Sequence, residues 1–264
     1  MPTPPSSRAV IGRRGLLTAA ALLALSGCGS SDNRSDAANP PHWDYDAEGP
    51  DHWAEIDGRY AVCGRGTEQS PIDLADHTPV DTTEHVDITY GPVPALELVN
   101  TGHTVQANLP AGSGHRIAIG GREFALSQFH FHAPSEHTVD GVGADMELHM
   151  VHGDATGGLA VLAVLLVVGQ RSPFTSVLAD LPLTGDKRTL DTVDLRTFLP
   201  GDLTQFRYTG SLTTPPCTEG VAWTVLRDPV TVGADEVDRF RALFPHNNRP
   251  AQPRNGRPVA LAGG

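Results

Sequence analysis

Residues 128 to 137 read QFHFHAPSEH, and four of these side chains could do metal or proton chemistry: Gln128, His130, His132 and Glu136. On an extended chain, residues two apart point to the same face, so His130 and His132 would stand side by side, about 6 to 7 Å apart at the backbone. Two imidazoles converging in this way are two ligands for an ion. A catalytic zinc takes three protein ligands and keeps its remaining position for water. The segment DMELHMVH, residues 145 to 152, offers the third. Paired as a hairpin across the turn-rich DGVGAD, it would place Glu147, His149 and Val151 on one face and Leu148, Met150 and His152 on the other. His149 is then the natural third ligand. Glu147 could accept the other ring proton of His149, and Gln128 that of His130, because a ligating histidine needs its second nitrogen held. His137 lies in the turn-rich segment and reads as structural, while His152 faces away. A His-x-His pair alone is more often a surface or structural feature; the third histidine and the two supporting acceptors turn the reading toward a metal.

Such side chains need a rigid sheet beneath them. At 264 residues, with 28 glycines and 22 prolines, the chain suits one sizeable domain or at most two small ones, built from strands and loops rather than a helix bundle. Short extended candidates recur between Gly, Pro and Asn turns: HVDITY, ALELVN, TVQANL, RIAIGG, REFALSQFHFH, DMELHMVH, LAVLAVLLVVG, QFRYTGSL and VAWTVL. LAVLAVLLVVG is apolar on both faces yet too short to span a bilayer as a helix, so it reads as a central strand covered above and below. Two helices are expected, in SPFTSVLADL and in ADEVDRFRALF, the latter with Val237, Phe240, Leu243 and Phe244 on one stripe. The expected fold is mainly β (α+β): a single domain with a large central, mostly antiparallel twisted sheet and a few peripheral short helices.

The N-terminus reads as a targeting segment. Arg13 and Arg14 precede LLTAAALLALSG, the basic and apolar parts of a secretory signal. The run ends in Leu25-Ser26-Gly27-Cys28, which resembles a bacterial lipobox with Cys28 lipidated as the mature N-terminus. RRGLL also looks like a twin-arginine export signal, with ordinary secretion and an uncleaved anchor as the alternatives. Residues 1–27 are thus expected to be a signal peptide, 28–41 a flexible tether of small polar residues, and 42–264 the folded domain. The protein would be exported and lipid-anchored at the cell envelope, touching membrane only through that lipid. If Cys28 carries lipid, Cys63 and Cys217 remain. Outside the cytoplasm they would be expected to pair, closing a loop that contributes roughly 3 to 5 kcal/mol; two buried thiols are the alternative. The formal net charge of −12 becomes more negative when Arg8, Arg13 and Arg14 leave with the signal. So acidic a surface repels phosphate backbones and argues against nucleic acid as a partner.

From about His42 to Gln252 the sequence resembles the alpha-class carbonic anhydrases in a bacterial, exported form. The landmarks stand in order: HWDYDAEGPDHW, EQSPIDL, NTGH, QFHFHAPSEHTVDG, ELHMVH, LAVLAVLLVVG, SLTTPPCTEGVAW and NRPAQP. The resemblance implies that His130, His132 and His149 bind Zn²⁺, with water or hydroxide in the remaining position, and that zinc hydroxide adds to carbon dioxide to give bicarbonate. It implies that Thr213 accepts the hydroxide proton and donates its own to Glu136. It assigns Val151, Val161, Leu212, Thr214 and Trp223 to the substrate pocket, with Gln128 and Glu147 behind the ligands. His103 becomes the proton shuttle, assisted by Tyr45, Thr101 and Gln106. A Cys63–Cys217 disulfide and inhibition by sulfonamides or anions are also implied. Two positions depart from the family's usual pattern: Trp43-Asp44-Tyr45 replaces Trp-Gly-Tyr, and Gln106 stands where asparagine is common. Both bear on proton transfer more than on the metal.

Two other readings stay open on sequence. His130-x-His132-x-x-x-Glu136 is also the core of the cupin metal motif, in which the glutamate is itself a ligand, although the second cupin motif has no counterpart downstream. A non-catalytic binding module on the same carbonic-anhydrase-like fold is the other.

Overall fold

The computed structural model describes residues 40–79 and 86–263. The expected signal peptide, Cys28 and residues 28–39 of the tether lie outside the described residues. The apolar run forms the strand Leu159–Val168, and its residues Ala160 to Leu166 are buried. It pairs antiparallel with Met146–Gly153 and parallel with Glu219–Val232, so apolar side chains are needed on both faces. In space the twelve-stranded sheet runs Thr78–Pro79, Ala260–Ala262, Gln205–Ser211, Glu219–Val232, Leu159–Val168, Met146–Gly153, Arg122–His132, Val105–Asn108, Leu96–Asn100 and Lys187–Leu190. The antiparallel pair of Val86–Thr89 and Arg116–Ile119 joins it beside Arg122–His132. Most pairings are antiparallel; Thr78–Pro79 with Ala260–Ala262 and Leu159–Val168 with Glu219–Val232 are parallel.

The two-residue alternation of strands divides the core. Phe129, Phe131, Leu148, Met150, Leu162 and Val164 turn to one face and pack with Phe174, Phe198 and Phe240. Each such side chain contributes on the order of 1.5 to 3 kcal/mol by leaving water. On the opposite face Val161, Ala163, Leu165, Trp223 and Val225 form a second layer with Ile72 and Leu74. QFHFH thus sends its phenylalanines into the first layer and its histidines toward the second.

Of the two expected helices, Ala234–Leu243 forms, burying Val237 and Phe240 and packing Leu243 and Phe244 on the same core. Glu236 accepts the Gly233 N–H at its start (3.0 Å), and also the hydroxyls of Ser172 (2.5 Å) and Thr175 (2.6 Å). SPFTSVLADL, by contrast, yields only the single turn Thr175–Leu178. β-branched Thr175 and Val177 favour it little, and Pro182 biases Leu181 away from helical angles. Cys63, in the turn Val62–Arg65, is disulfide-bonded to Cys217 with Cα atoms 5.0 Å apart. The bond sits in a small buried cluster with Trp53 and Tyr60, against which Trp43 and Tyr45 pack.

Candidate metal centre

In the hairpin of Arg122–His132 with Met146–Gly153, His149 stands opposite His130, and Glu147 opposite His132. Ring centroids are 4.9 Å apart for His130 and His132, 5.3 Å for His130 and His149, and 4.6 Å for His132 and His149. One donor atom from each lies within 4.8 Å of the others. The remaining ring nitrogens are each held by a different acceptor. His130 Nδ1 donates to Gln128 Oε1 (2.8 Å), His132 Nδ1 to the Asn247 carbonyl (2.6 Å) and His149 Nε2 to Glu147 Oε1 (2.8 Å). These bonds fix the tautomers. They leave His130 Nε2, His132 Nε2 and His149 Nδ1 as the available donors, and His132 Nε2 is buried without a hydrogen-bond partner.

Burial, then mutual repulsion, holds His130 well below the ordinary imidazole value; burial lowers His132 to about 4 and also lowers His149. Three neutral imidazoles with lone pairs aimed together are what a borderline divalent ion such as zinc binds. The residues present therefore fit the ion.

The carboxylates behind the histidines have separate tasks. Glu147 is fully buried; Oε1 accepts from His149 Nε2 and from His137 Nδ1 (2.6 Å), while Oε2 accepts the backbone N–H groups of Glu136 and His137 (both 2.8 Å). Burial alone would raise its pKa, but the two histidines and these bonds outweigh it and hold the carboxyl well below its usual range. His137 is structural, as its place in the turn suggested: its Nε2 accepts from the Tyr208 hydroxyl (2.7 Å), which meets Ser70 Oγ at 2.9 Å. Glu136 stands outside the ligand group. Its Oε1 accepts the Arg249 N–H (2.8 Å), and Oε2 lies 3.9 Å from His149 Nδ1 with no hydrogen-bond partner. Burial raises Glu136 to about 7 against the pull of His149, the Arg249 amide and Thr213. Thr213 is thus close enough to act on the carboxyl, but no hydrogen bond of good geometry joins them.

A cavity of about 250 Å³ opens onto the ligands and is lined by Trp43, Tyr45, Thr101, His103, Thr104, Gln106, Gln128, His130, His132 and Thr214. His103 is half-buried and stacks on Trp43 with ring centroids 3.9 Å apart. Burial and nearby His42 lower its pKa, with Asp44 opposing. Its turn is shaped by Gly102 at φ +88°, a left-handed conformation glycine adopts freely. Burial first, then Glu136, raises the Tyr45 pKa well above the ordinary phenol value, so the hydroxyl keeps its proton. Gln106 lines the cavity, yet its amide donates to Asn108 Oδ1 (2.7 Å). Val161 and Trp223 are buried in one apolar cluster, with Val151 and Leu212 packed against it, and the Trp223 ring lies 5.0 Å from that of His149. Another group at the rim, His42, Asp44 and Glu48, is mostly exposed, and Asp44 Oδ1 accepts the backbone N–H groups of Asp46 and Glu48 to shape a turn.

Sequence reasoning did not single out Asn247, Arg249, Tyr208 or Ser70. Asn247 meets His132, and Arg249 meets Glu136, through backbone atoms, which carry no side-chain signature; the NRPAQP stretch holding Arg249 stood only as a landmark.

The family described as eukaryotic-type carbonic anhydrase matches residues 48–262. A carbonic anhydrase of Klebsiella pneumoniae is 41% identical over 228 residues, covering 83% of this chain and 90% of that protein. One from Nostoc sp. is 40% identical over 246 residues, covering 90% and 91%. Among solved structures, the alpha-carbonic anhydrase of Thermovibrio ammonificans, in complex with the inhibitor sulfanilamide, superposes with a TM-score of 0.79 at 39% identity, covering 84% of this chain and all of the other.

Proposed function

Since the chain belongs to the eukaryotic-type (alpha) carbonic anhydrase family, an enzyme family of reversible carbon dioxide hydration, we propose that it does this chemistry with Zn²⁺ held by His130, His132 and His149. The observation that carries the proposal is the convergence of three neutral imidazoles, each fixed from behind by its own acceptor. The ion supplies Lewis acidity, turning water into a nucleophile at neutral pH.

The chain's own residues do the rest. Carbon dioxide is uncharged and suits the apolar cluster of Val151, Val161, Leu212 and Trp223, while Thr214 lines the cavity at the ligands. Glu136 is anchored at Oε1 by the Arg249 N–H and keeps Oε2 without a partner; accepting the nearby Thr213 hydroxyl there would make Thr213 a donor and leave its lone pairs to orient the attacking water. His103, neutral at pH 7 because its pKa is lowered, accepts the released proton through cavity water and passes it outward, with Tyr45, Thr101 and Gln106 as polar lining. Sulfonamides and small anions would compete for the open ligand position, as sulfanilamide inhibits the Thermovibrio enzyme.

The cupin reading needs a carboxylate ligand, and Glu136 is outside the donor set; a non-catalytic module would not need the full ligand set with its supports. Neither alternative is favoured.

We also propose export and anchoring at the cell envelope through lipid on Cys28. Mass spectrometry of the N-terminal peptide tests it: a diacylglyceryl Cys28 supports the anchor, and an unmodified Met1 contradicts it. For the catalytic proposal, metal analysis is combined with stopped-flow hydration of wild type and His149→Ala. One zinc per chain with hydration, both lost in the variant, is expected. Stoichiometric iron or manganese, or full zinc without hydration, would overturn it.

A further inference from the structure

We infer that Asn247 is a positioning residue for proton transfer, one whose side-chain amide sets the relay histidine relative to the metal ligands. The inference rests on the proposed roles of His132 as ligand and His103 as relay. Asn247 is 1% exposed. Its Oδ1 accepts the Ala133 N–H (2.8 Å), and its Nδ2 donates to the carbonyls of Phe131 (2.9 Å) and His103 (3.0 Å). Its own carbonyl accepts from His132 Nδ1. The amide has only one orientation here, because flipping it would aim Nδ2 at an N–H and Oδ1 at two carbonyl oxygens.

One residue therefore grips the end of the ligand strand on both sides of His132, orients the ring of His132 and holds the backbone of His103. Among the described residues, Thr104 also ties the relay turn to this strand end: its Oγ1 donates to the Phe131 carbonyl (2.6 Å). The His103 ring itself rests on Trp43 by stacking, which resists sliding weakly. Water-borne proton transfer depends steeply on distance and alignment, so loosening the His103 backbone should act on turnover before it acts on the zinc chemistry.

The test compares Asn247→Ala and Asn247→Ser with His103→Ala. In weak buffer, kcat of Asn247→Ala should fall about 10- to 100-fold and recover in imidazole, and kcat/KM should fall clearly less than kcat. The low-field Nδ1 proton of His132 should move upfield in both metal-free and zinc-loaded protein, a readout independent of activity. Asn247→Ser keeps a small polar side chain in this buried place and should fall between; it carries the test if Asn247→Ala does not fold. Parallel loss of kcat and kcat/KM, loss that imidazole does not restore, or no loss would overturn the inference. If His103→Ala slows turnover and the Asn247 variants do not, only the role of Asn247 falls. If His103→Ala changes nothing, the relay reading falls and the inference with it.

Discussion

At position 147 a single carboxylate serves two histidines and two backbone amides, all inside the protein. Glu147→Gln would put an amide N–H group against donors and should loosen zinc about 10- to 100-fold, as other changes behind metal ligands do; competition with a chelator measures it, and unchanged affinity would contradict the role. For His103, the lowered pKa means that kcat for hydration in weak buffer should fall as pH drops through a value below 6.5, when the ring becomes charged and can no longer accept a proton. His103→Ala should lose that limb and regain turnover with imidazole. Gln128 and Glu147 were legible because a period of two puts them on the ligand face. The support of His132 was not, since a main-chain carbonyl at residue 247 has no sequence signature, and the departures at Asp44 and Gln106 prove to involve turn and surface bonds rather than the ligands.

Among the elements, the two histidine strands form as their alternation predicts, and the opposite face of Met146–Gly153 carries a second buried imidazole. His152 is fully buried; its Nε2 meets the Tyr90 hydroxyl at 2.7 Å, and burial lowers its pKa to about 4. Above pH 6.5 the ring is neutral folded or unfolded, and stability is undiminished. As pH falls from 6.5 toward 4 the unfolded chain takes the proton first, so folding loses in total about 3 kcal/mol from this group. Urea unfolding across that window should show a shallower pH slope for His152→Gln than for wild type, and equal slopes would exclude the contribution. While the short Thr78–Pro79, Lys187–Leu190 and Ala260–Ala262 were not legible, nine strands of the twelve-stranded sheet were, from their composition and bounding turns. Their order was not: the parallel pairing of Leu159–Val168 with Glu219–Val232 joins segments some fifty residues apart, and local patterns say nothing about such partners. SPFTSVLADL, expected as a helix, lacked the uninterrupted length to extend beyond one turn.

For the whole molecule, the Cys63–Cys217 bond spans a sequence separation of 154 and ties the aromatic cluster near the N-terminus to the turn after Thr213. Its reduction should cost roughly 3 to 5 kcal/mol, read as a lower urea midpoint in reductant, and an unchanged midpoint would refute this. The pairing followed from cysteine count and compartment, and the family from the order of its landmarks; the geometry that separates Glu136 from the ligands needed three dimensions. The most direct measurement of the central claim is a zinc titration of metal-stripped protein followed by carbon dioxide hydration. Activity should rise linearly and break at one ion per chain, and His130→Ala, His132→Ala and His149→Ala should show no such break. Full hydration in the stripped protein, or one tightly bound zinc with none, would contradict it.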